Sequence, residues 1–244
     1  ITALQKERQA RQQAEIAQRL GQEITNMDWL LRSARQMPLH DLGREKAIMR
    51  KRMAQLQAEL AEYGEVSRGL GHYALGRGHM ALHEYPQALG QLETAIRSGN
   101  QRAEVHYALG FVLGKHYERA MGEARLAGGG EWAKKQLKEL APKYLTPAIA
   151  SLSQARALKL DAPAYLEGLI AYYKGEYDAA LQHAAAALEA APWLFEASQL
   201  IGDVHLQRGL LAMDAAKFEP AEKELRAAVA GYEEATRLGQ SDAE

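Results

Sequence analysis

The chain has 244 residues, of which 47% are hydrophobic, 25% are charged and 7% are aromatic, a composition within the normal range for globular domains. It contains no cysteine, which excludes disulfide bridges and thiolate metal sites, and no apolar run approaches the roughly 18 residues that span a bilayer. The formal net charge of −1 divides into +8 over residues 1–160 and −9 over residues 161–244. This asymmetry indicates either a basic surface for an anionic partner or, as we favour, two differently solvated faces.

Residues 1–65 predict a hairpin of two long helices. Residues 3–36 have the pattern of one helix, residues 37–41 break it, and a second helix follows with a short heptad run. The two apolar stripes are Leu20, Ile24, Met27, Leu31 and Ala34, and then Met49, Met53, Leu56, Leu60 and Tyr63. We expect the stripes to face one another, with a coiled coil between two chains as the alternative. Residues 1–15 are nearly all polar and are expected to fray or to lead in from an upstream segment.

The pentapeptide HYALG occurs twice, at residues 72–76 and again at 106–110. Each copy ends on a glycine in the middle of a helical pattern, where glycine costs about 1 kcal/mol relative to alanine. Because glycine recurs in the same sequence context despite this loss of helix stability, we expect a neighbouring helix to approach closely at each glycine. The two copies therefore indicate a structural unit that is built more than once.

The number of residues from each mid-helix glycine to the small residue of the following helix defines the repeats. It is the same from Gly76 to Ala88 as from Gly168 to Ala180. It is longest from Gly110 to Ala148, and intermediate from Gly202 to Ala228. The two longer spacings predict insertions in the second and fourth repeats, accommodated as lengthened helices. Residues 128–130 are expected to form a flexible loop inside the first insertion, and Pro142 and Pro147 to limit the helix that follows.

Residues 168–192, GLIAYYKGEYDAALQHAAAALEAAP, resemble the tetratricopeptide repeat (TPR), with its mid-helix glycine, Gly-x-Tyr turn, small residues and terminal proline. The resemblance implies an all-α protein, a right-handed α-solenoid of degenerate TPR helix pairs behind the N-terminal hairpin. Its repeats would occupy residues 66–244, as 69–100, 103–160 with an insertion, 161–192, and 195–240 with an insertion. The C-terminal residues 240–244 are similar to residues 100–104, which open a helix, so we expect the chain to continue beyond them.

In the tetratricopeptide family the first helix of each pair lines a concave groove that binds proteins or peptides. Carried over from the mid-helix glycine, the groove positions include Gln199, Asp203, Met80 and Lys115 among others. The residues that we single out as a partner-binding groove are Tyr73, Arg77, Tyr107, Phe111, Tyr165, Leu169, Tyr172 and Tyr173. Tyrosine is a favoured interface anchor, but packing between repeats explains the same row equally well. The family's lysine and asparagine carboxylate clamp is absent.

Other chemistry is weakly indicated. His72, His79 and His83 could share a helix face, but no carboxylate or other close ligand is specified, so we expect no metal and no cofactor. The glycine run 128–130 lacks the following lysine and hydroxyl of a phosphate-binding loop. The basic stretch 44–52 lacks interleaved aromatic residues, which argues against a nucleic-acid partner. No motif supplies a nucleophile with an oriented base, so we expect no enzyme activity in this segment.

Four sequence segments also resemble the region that follows the kinase domain in some bacterial serine/threonine protein kinases. They are AEIAQRLGQEI at 14–24, PLHD at 38–41, GHYALGRG at 71–78 and LIGDVHL at 200–206. This resemblance implies a sensor or regulatory region of a membrane-tethered bacterial kinase, with the kinase domain absent here and the segment on the extracytoplasmic side. The basic residues Lys6, Arg8 and Arg11 instead fit the cytoplasmic side, so both placements stay open.

Two functions follow from these patterns. The first is a non-catalytic TPR module that binds a protein or peptide in the concave groove and regulates an attached kinase. The alternative is a homodimerisation scaffold, in which the N-terminal hairpin brings two kinase domains together.

Overall fold

The computed structural model describes residues 3–35, 37, 41–60, 65–128 and 130–239. The regular structure of these residues is entirely helical, which confirms the predicted all-α class. The helices are α1 Ala3–Arg35, α2 Gly43–Glu59, α3 Glu65–Ala81, α4 Tyr85–Arg97, α5 Ala103–Leu126, α6 Gly130–Leu140, α7 Thr146–Gln154, α8 Pro163–Lys174, α9 Tyr177–Ala190, α10 Phe195–Asp214 and α11 Phe218–Leu238.

The helices belong to two compact units. The first comprises Ile1–Ala34 and Asp41–Ala155, and the second comprises Arg35–His40 and Arg156–Glu244. The first compact unit therefore contains the N-terminal helices and the pairs α3–α4 and α5–α7. The second contains the pairs α8–α9 and α10–α11.

Helices α1 and α2 pack side by side in opposite directions. The Arg19 guanidinium donates to Glu59 at 2.8 Å, and Arg52 lies 3.8 Å from Glu23, so the two chain directions are antiparallel. The stripe residues that are buried between α1, α2 and α3 are Leu20, Met27, Leu31, Met49, Met53, Leu56 and Leu60. Tyr63, predicted to extend the second stripe, lies outside the described residues. Residues 3–15 are helical and carry an ion pair of 2.7 Å between Glu7 and Arg11.

Helix α3 uses glycine on two faces. A Cβ atom at Gly76 would lie 2.7 Å from Leu92 Cγ of α4, and one at Gly78 would lie 2.6 Å from Met53 Sδ of α2. Gly69 and Gly71, one heptad earlier, meet α4 and α2 in the same order. The alternation lets α3 approach a neighbour closely on each side, and it confirms the close approach predicted at Gly76.

Each later pair is an antiparallel hairpin, and within a compact unit the next pair packs against it. The first compact unit joins α4 to α5, and the second joins α9 to α10. Three of the turns share one conformation, in which a residue of positive φ lies two positions before an aromatic side chain. These residues are His83 (φ 59°), Gly175 (φ 77°) and Ala216 (φ 56°), before Tyr85, Tyr177 and Phe218. The repeated hairpin and turn confirm the predicted fold of repeated helix pairs.

The first insertion lengthens a hairpin. Helix α5 runs on to Leu126, α6 returns along it, and the chain continues through a π-helical turn at Ala141–Leu145 into α7. Pro142 was expected to limit this helix, but the wider π turn carries the helix past it. A Cβ atom at Gly110 would lie 2.7 Å from Leu152 Cγ, so the close approach predicted there is also confirmed.

The second insertion is shared equally between α10 and α11. Counted back from the turn, Gly209 holds the position that Gly76 holds in the first repeat. A Cβ atom at Gly209 would lie 2.9 Å from Leu225 Cγ, just as one at Gly76 would lie 2.7 Å from Leu92 Cγ. The interval from Gly209 to Ala221 is the same as the interval from Gly76 to Ala88. Gly202 and Ala228, which the sequence spacing matched to each other, therefore lie further from the turn on the same hairpin. There Gly202 contacts Tyr232 and Gly231. Both glycines face α11, which is why spacing alone could not separate them.

Candidate functional site

Of the predicted groove residues of the first compact unit, Tyr73 is buried, and Arg77, Tyr107 and Phe111 are half-buried. Tyr73 is 6% exposed and packs in a cluster with Leu92 and Val105, and the Arg77 guanidinium donates to its hydroxyl at 3.3 Å. Phe111 is half-buried against the same cluster, 6.4 Å from the ring of Tyr85. The structure thus brings Tyr73 and Phe111 together in one apolar cluster.

Tyr107, Met80 and Lys115 are half-buried. The Lys115 ammonium lies 5.6 Å from the centre of the Phe111 ring and 2.7 Å from Glu118. These contacts place the lysine charge beside the Phe111 ring, a geometry that favours a cation–π interaction.

The groove residues of the second compact unit are also buried. Tyr165, Leu169, Tyr172 and Tyr173 are each 7% exposed or less. The Tyr172 ring lies 5.2 Å from Tyr173 and 6.3 Å from Tyr177. These aromatic contacts stabilise α8 and the following turn. Binding of a partner to the tyrosine row stays a prediction.

The remaining two groove positions, Gln199 and Asp203, lie on α10. Gln199 is exposed, whereas Asp203 accepts a hydrogen bond of 2.8 Å from the Tyr232 hydroxyl of α11. Asp203 therefore helps to close the α10–α11 hairpin.

The histidines of α3 and its turn have separate partners. His72 Nδ1 lies 2.7 Å from Gln91 Oε1, and His79 Nδ1 lies 2.8 Å from Glu84 Oε2. His83 stacks on Tyr85 with 5.8 Å between ring centres. Across the part of the chain that the structure describes, no three His, Asp or Glu side chains are grouped as metal ligands would be.

Glu84 ties the first helix pair to α2. It accepts hydrogen bonds from His79 on α3 and, at 2.9 Å, from the Arg50 guanidinium on α2. Burial raises the pKa of Glu84, but the hydrogen bonds from His79 and Arg50 outweigh burial and leave the pKa below its usual value.

The second compact unit contains a similar arrangement. His205 Nδ1 lies 2.6 Å from Glu224, whose other oxygen lies 3.1 Å from Arg208 Nε. Arg208 in turn donates to Asp178 of α9 at 2.9 Å. A histidine–carboxylate–arginine group thus joins neighbouring helices in each compact unit.

The lowered pKa of Glu84 gives a pH-dependent contribution to stability. Because the folded pKa is depressed, this contribution is complete above the unfolded value near about 4.3 and is lost as pH falls through the folded value. We expect Glu84→Gln to lower the free energy of unfolding by about 1 kcal/mol at neutral pH, and by progressively less below about pH 4. Urea unfolding across this pH range measures the difference. Glu93→Gln removes a looser 3.8 Å pair with Arg97 and should change stability little at any pH, whereas a constant Glu84→Gln effect would contradict the assignment.

Sequence reasoning missed an exposed apolar cleft on the α10–α11 hairpin. The cleft encloses about 450 Å³ and is lined by Met213, Phe218, Ala221, Glu222, Leu225, Arg226 and Val229. Three of its large apolar side chains face solvent, with Met213 47%, Phe218 70% and Val229 55% exposed. An ion pair of 2.6 Å between Glu222 and Arg226 runs along it. A contiguous group of exposed apolar side chains of this kind is typical of a binding surface.

The cleft corresponds to a face that is covered in the first compact unit. Counted from the turn, Phe218, Leu225 and Val229 of α11 match Tyr85, Leu92 and Ile96 of α4. On α4 these three residues pack with the α5 residues Val105, Ala108 and Val112. The α11 face therefore has the apolar pattern of a helix-covered face. The signal in the sequence was Phe218, which occupies the turn position held by tyrosine in the first and third repeats.

Comparisons with known proteins add nothing to the argument from the helix pairs. No protein-family model and no curated protein matches the sequence. A solved structure described as "Crystal structure of MamA" is similar at 19% identity and a TM-score of 0.41, over 82% of this chain and 98% of that one. A similarity this distant carries no argument about function, and the helix pairs themselves support the repeat fold. Among the described residues, no helix has the length and apolarity needed to cross a membrane.

Proposed function

We propose that this chain is a non-catalytic protein-binding module of TPR-like helix pairs, and that the face of α11 binds an amphipathic helix of a partner protein. A following repeat of the same chain, which the similarity of residues 240–244 to residues 100–104 predicts, is the competing occupant of this face. The observation that carries the proposal is the exposure of Phe218 and Val229, beside the half-buried Leu225, in the positions that α5 covers on α4. Burying such side chains would contribute roughly 25 cal/mol for each Å² of apolar surface removed from water. Phe218 is the expected anchor, since aromatic residues dominate interface energies.

Helix α5 indicates what kind of helix fits. It presents Val105, Ala108 and Val112 to α4, spaced i, i+3 and i+7, and all three are fully buried. The small alanine in the middle allows the two helix axes to approach closely. We therefore expect the partner to offer a stripe of β-branched or other apolar residues with a small residue at its centre. Glu222 and Arg226 lie beside the stripe, where they could pair with charged residues of the partner.

The finer proposal is that the module is the sensor or regulatory region of a bacterial serine/threonine protein kinase. This proposal is supported by the four sequence segments that resemble the region following such kinase domains. The parent protein would then be membrane-tethered, with partner binding on this segment changing the activity of the attached kinase domain. Its placement outside or inside the cytoplasm is tested by labelling an introduced cysteine in intact cells with a membrane-impermeant reagent.

The alternative proposal is homodimerisation through the N-terminal hairpin. The apolar stripes of α1 and α2 are buried within the chain, so a dimer would have to use other hairpin residues, such as Trp29 at 70% exposure or Ile48 at 37%. Light scattering over a wide range of protein concentration distinguishes a monomer from a dimer. A monomer throughout would contradict this alternative.

Photocrosslinking tests the open face directly. A photoreactive residue at Val229 should capture a partner, whereas one at the neighbouring exposed Ala230, about 100° around the helix, should capture much less. The recovered partner should then bind Phe218→Ser/Val229→Ser at least tenfold more weakly than the unaltered chain, as measured by calorimetry. Leu211→Ser is the matched control, because Leu211 is 49% exposed on the same hairpin but does not line the cleft.

A second arm of the experiment tests the tyrosine row. Tyr73→Ala/Tyr107→Ala/Tyr165→Ala is compared in the same binding assay after circular dichroism has shown that it folds. Loss of binding in this variant alone would place the partner in the predicted groove and would contradict the α11 proposal. Equal yields from Val229 and Ala230 would contradict it as well.

A further inference from the structure

The end of the α5–α6 hairpin carries a second exposed apolar feature, which we name the α5–α6 tip and define as residues 125–128 and 130–138. Leu126 is 91% exposed, the highest value among the large hydrophobic residues that the structure describes, and Trp132 is 53% exposed. Between them the chain turns through Gly128 (φ 117°) and Gly130 (φ 67°), both exposed. The tip therefore presents a leucine at the end of α5 and a tryptophan near the start of α6.

Basic side chains follow directly behind these two residues. Lys134, Lys135 and Lys138 are all exposed. The tip contains four basic residues, Arg125, Lys134, Lys135 and Lys138, and one acidic residue, Glu131; the exposed Glu139 follows it. The charge around the tip is therefore positive.

The apolar face of α6 is largely used within the chain. Leu137 and Leu140 are half-buried, in the segment that returns along α5. Leu126 lies almost wholly outside this packing, and about half of the Trp132 side chain does as well. The packing of the hairpin does not use these exposed surfaces, which suggests that another surface covers them.

We propose that the α5–α6 tip docks on the surface of an anionic lipid bilayer. Tryptophan concentrates at the boundary between lipid headgroups and acyl chains, and an aliphatic leucine gains from entering the hydrocarbon. Lysines just behind an inserting residue lie at headgroup depth, where they attract anionic lipids. One tryptophan beside an aliphatic leucine is a poor stacking platform for nucleic-acid bases. A convex tip also differs from the concave cleft that a partner helix would fill.

This docking is independent of the proposed helix-binding face, because it uses different residues of a different compact unit. Its effect would be to hold the first compact unit at a membrane surface by a shallow, reversible contact. A single leucine and tryptophan with three lysines suits weak binding that depends on lipid charge.

Tryptophan fluorescence gives the first test. In a Trp29→Phe/Trp193→Phe chain, Trp132 is the sole tryptophan, and both replaced residues are exposed. With vesicles of phosphatidylglycerol and phosphatidylcholine in equal amounts, the emission should shift to shorter wavelength and be quenched by brominated acyl chains. Pure phosphatidylcholine vesicles should produce a much smaller shift. Unchanged emission with the anionic vesicles at low salt would overturn the proposal, and a tip that binds a protein instead would give that result.

Vesicle flotation gives the second test. Lys135→Gln/Lys138→Gln should lower the partition coefficient on the same anionic vesicles roughly 30-fold, from the attraction expected of two basic residues near the surface. The matched control Arg44→Gln/Lys51→Gln removes two positive charges from the basic stretch on α2 and should lower it less than about threefold. Leu126→Ser/Trp132→Ser should weaken binding, and Leu126→Ser alone should weaken it while leaving the unfolding midpoint unchanged, because Leu126 is 91% exposed. Equal losses from the two charge variants, or no loss from Leu126→Ser/Trp132→Ser, would overturn the proposal.

Discussion

Replacing Gly110 by alanine is expected to lower the free energy of unfolding of the first compact unit by about 3 kcal/mol, whereas Gly122→Ala on the same helix should raise it by up to about 1 kcal/mol. A Cβ atom at Gly110 would lie 2.8 Å from the Leu152 backbone nitrogen and 3.0 Å from the Ala148 carbonyl oxygen. Backbone atoms cannot rotate away as a side chain can, so α5 and α7 must separate. Gly122 has no such neighbour within 4 Å, and alanine there gains helix propensity alone.

Chemical denaturation of the two variants, followed by helical circular dichroism, measures both effects. The pair isolates the contact with α7, since each change adds one methyl group to a glycine of α5. If both variants were stabilised, the close approach of α5 and α7 described here would be wrong. If both were destabilised alike, the loss at Gly110 could not be assigned to α7.

Met49→Ala is expected to destabilise the chain by about 2–5 kcal/mol, and Ile48→Ala by no more than about 1 kcal/mol. The two residues are adjacent on α2 and lie about 100° apart around the helix. Met49 is fully buried among residues of α1 and α3, whereas Ile48 is 37% exposed. Removing the methionine side chain leaves a cavity between three helices, and trimming isoleucine removes atoms that water already reaches.

The concentration dependence of unfolding separates two origins of the Met49 effect. If the stripe packs within one chain, the loss is the same at every protein concentration. If the stripe lies between two chains, raising the concentration restores stability by mass action. The second result would contradict the intrachain hairpin and support the dimer alternative.

The fold class was predictable because its signals are local. Glycine in the middle of a helical pattern marks a close contact wherever it falls, and the predicted contacts at Gly76 and Gly110 are present. The fourth repeat shows the limit of this reasoning, because the sequence spacing used Gly202, whereas Gly209 is the glycine that corresponds to Gly76. Both glycines face α11, and only the position of the turn, at Ala216, shows which of them corresponds to Gly76. A positive φ at alanine carries no clear sequence signature, unlike the glycine at the same position of the third repeat.

The candidate sites were less predictable, because exposure depends on what covers a residue. Tyr73 and Tyr165 occupy positions that can face a ligand in the tetratricopeptide family, yet here they are nearly buried, and no feature of their own sequence reports it. The opposite holds for Phe218 and Val229. Their pattern is that of residues beneath a neighbouring helix, so the pattern alone predicts burial, and the open face became visible only in the structure.

The paired lengthening of α10 and α11 also sets a rule for how such hairpins can vary in length. Seven residues turn an α-helix through nearly two full rotations, with a shortfall of about 20°. Because each helix gained the same seven residues, Gly202 and Gly209 kept one rotational phase, and so did Ala221 and Ala228. An insertion of five residues in one helix would instead rotate everything beyond it by about 140°, measured at roughly 3.6 residues per turn. Hairpins of this type can therefore lengthen only in steps that preserve phase, and each step adds new surface in the same direction.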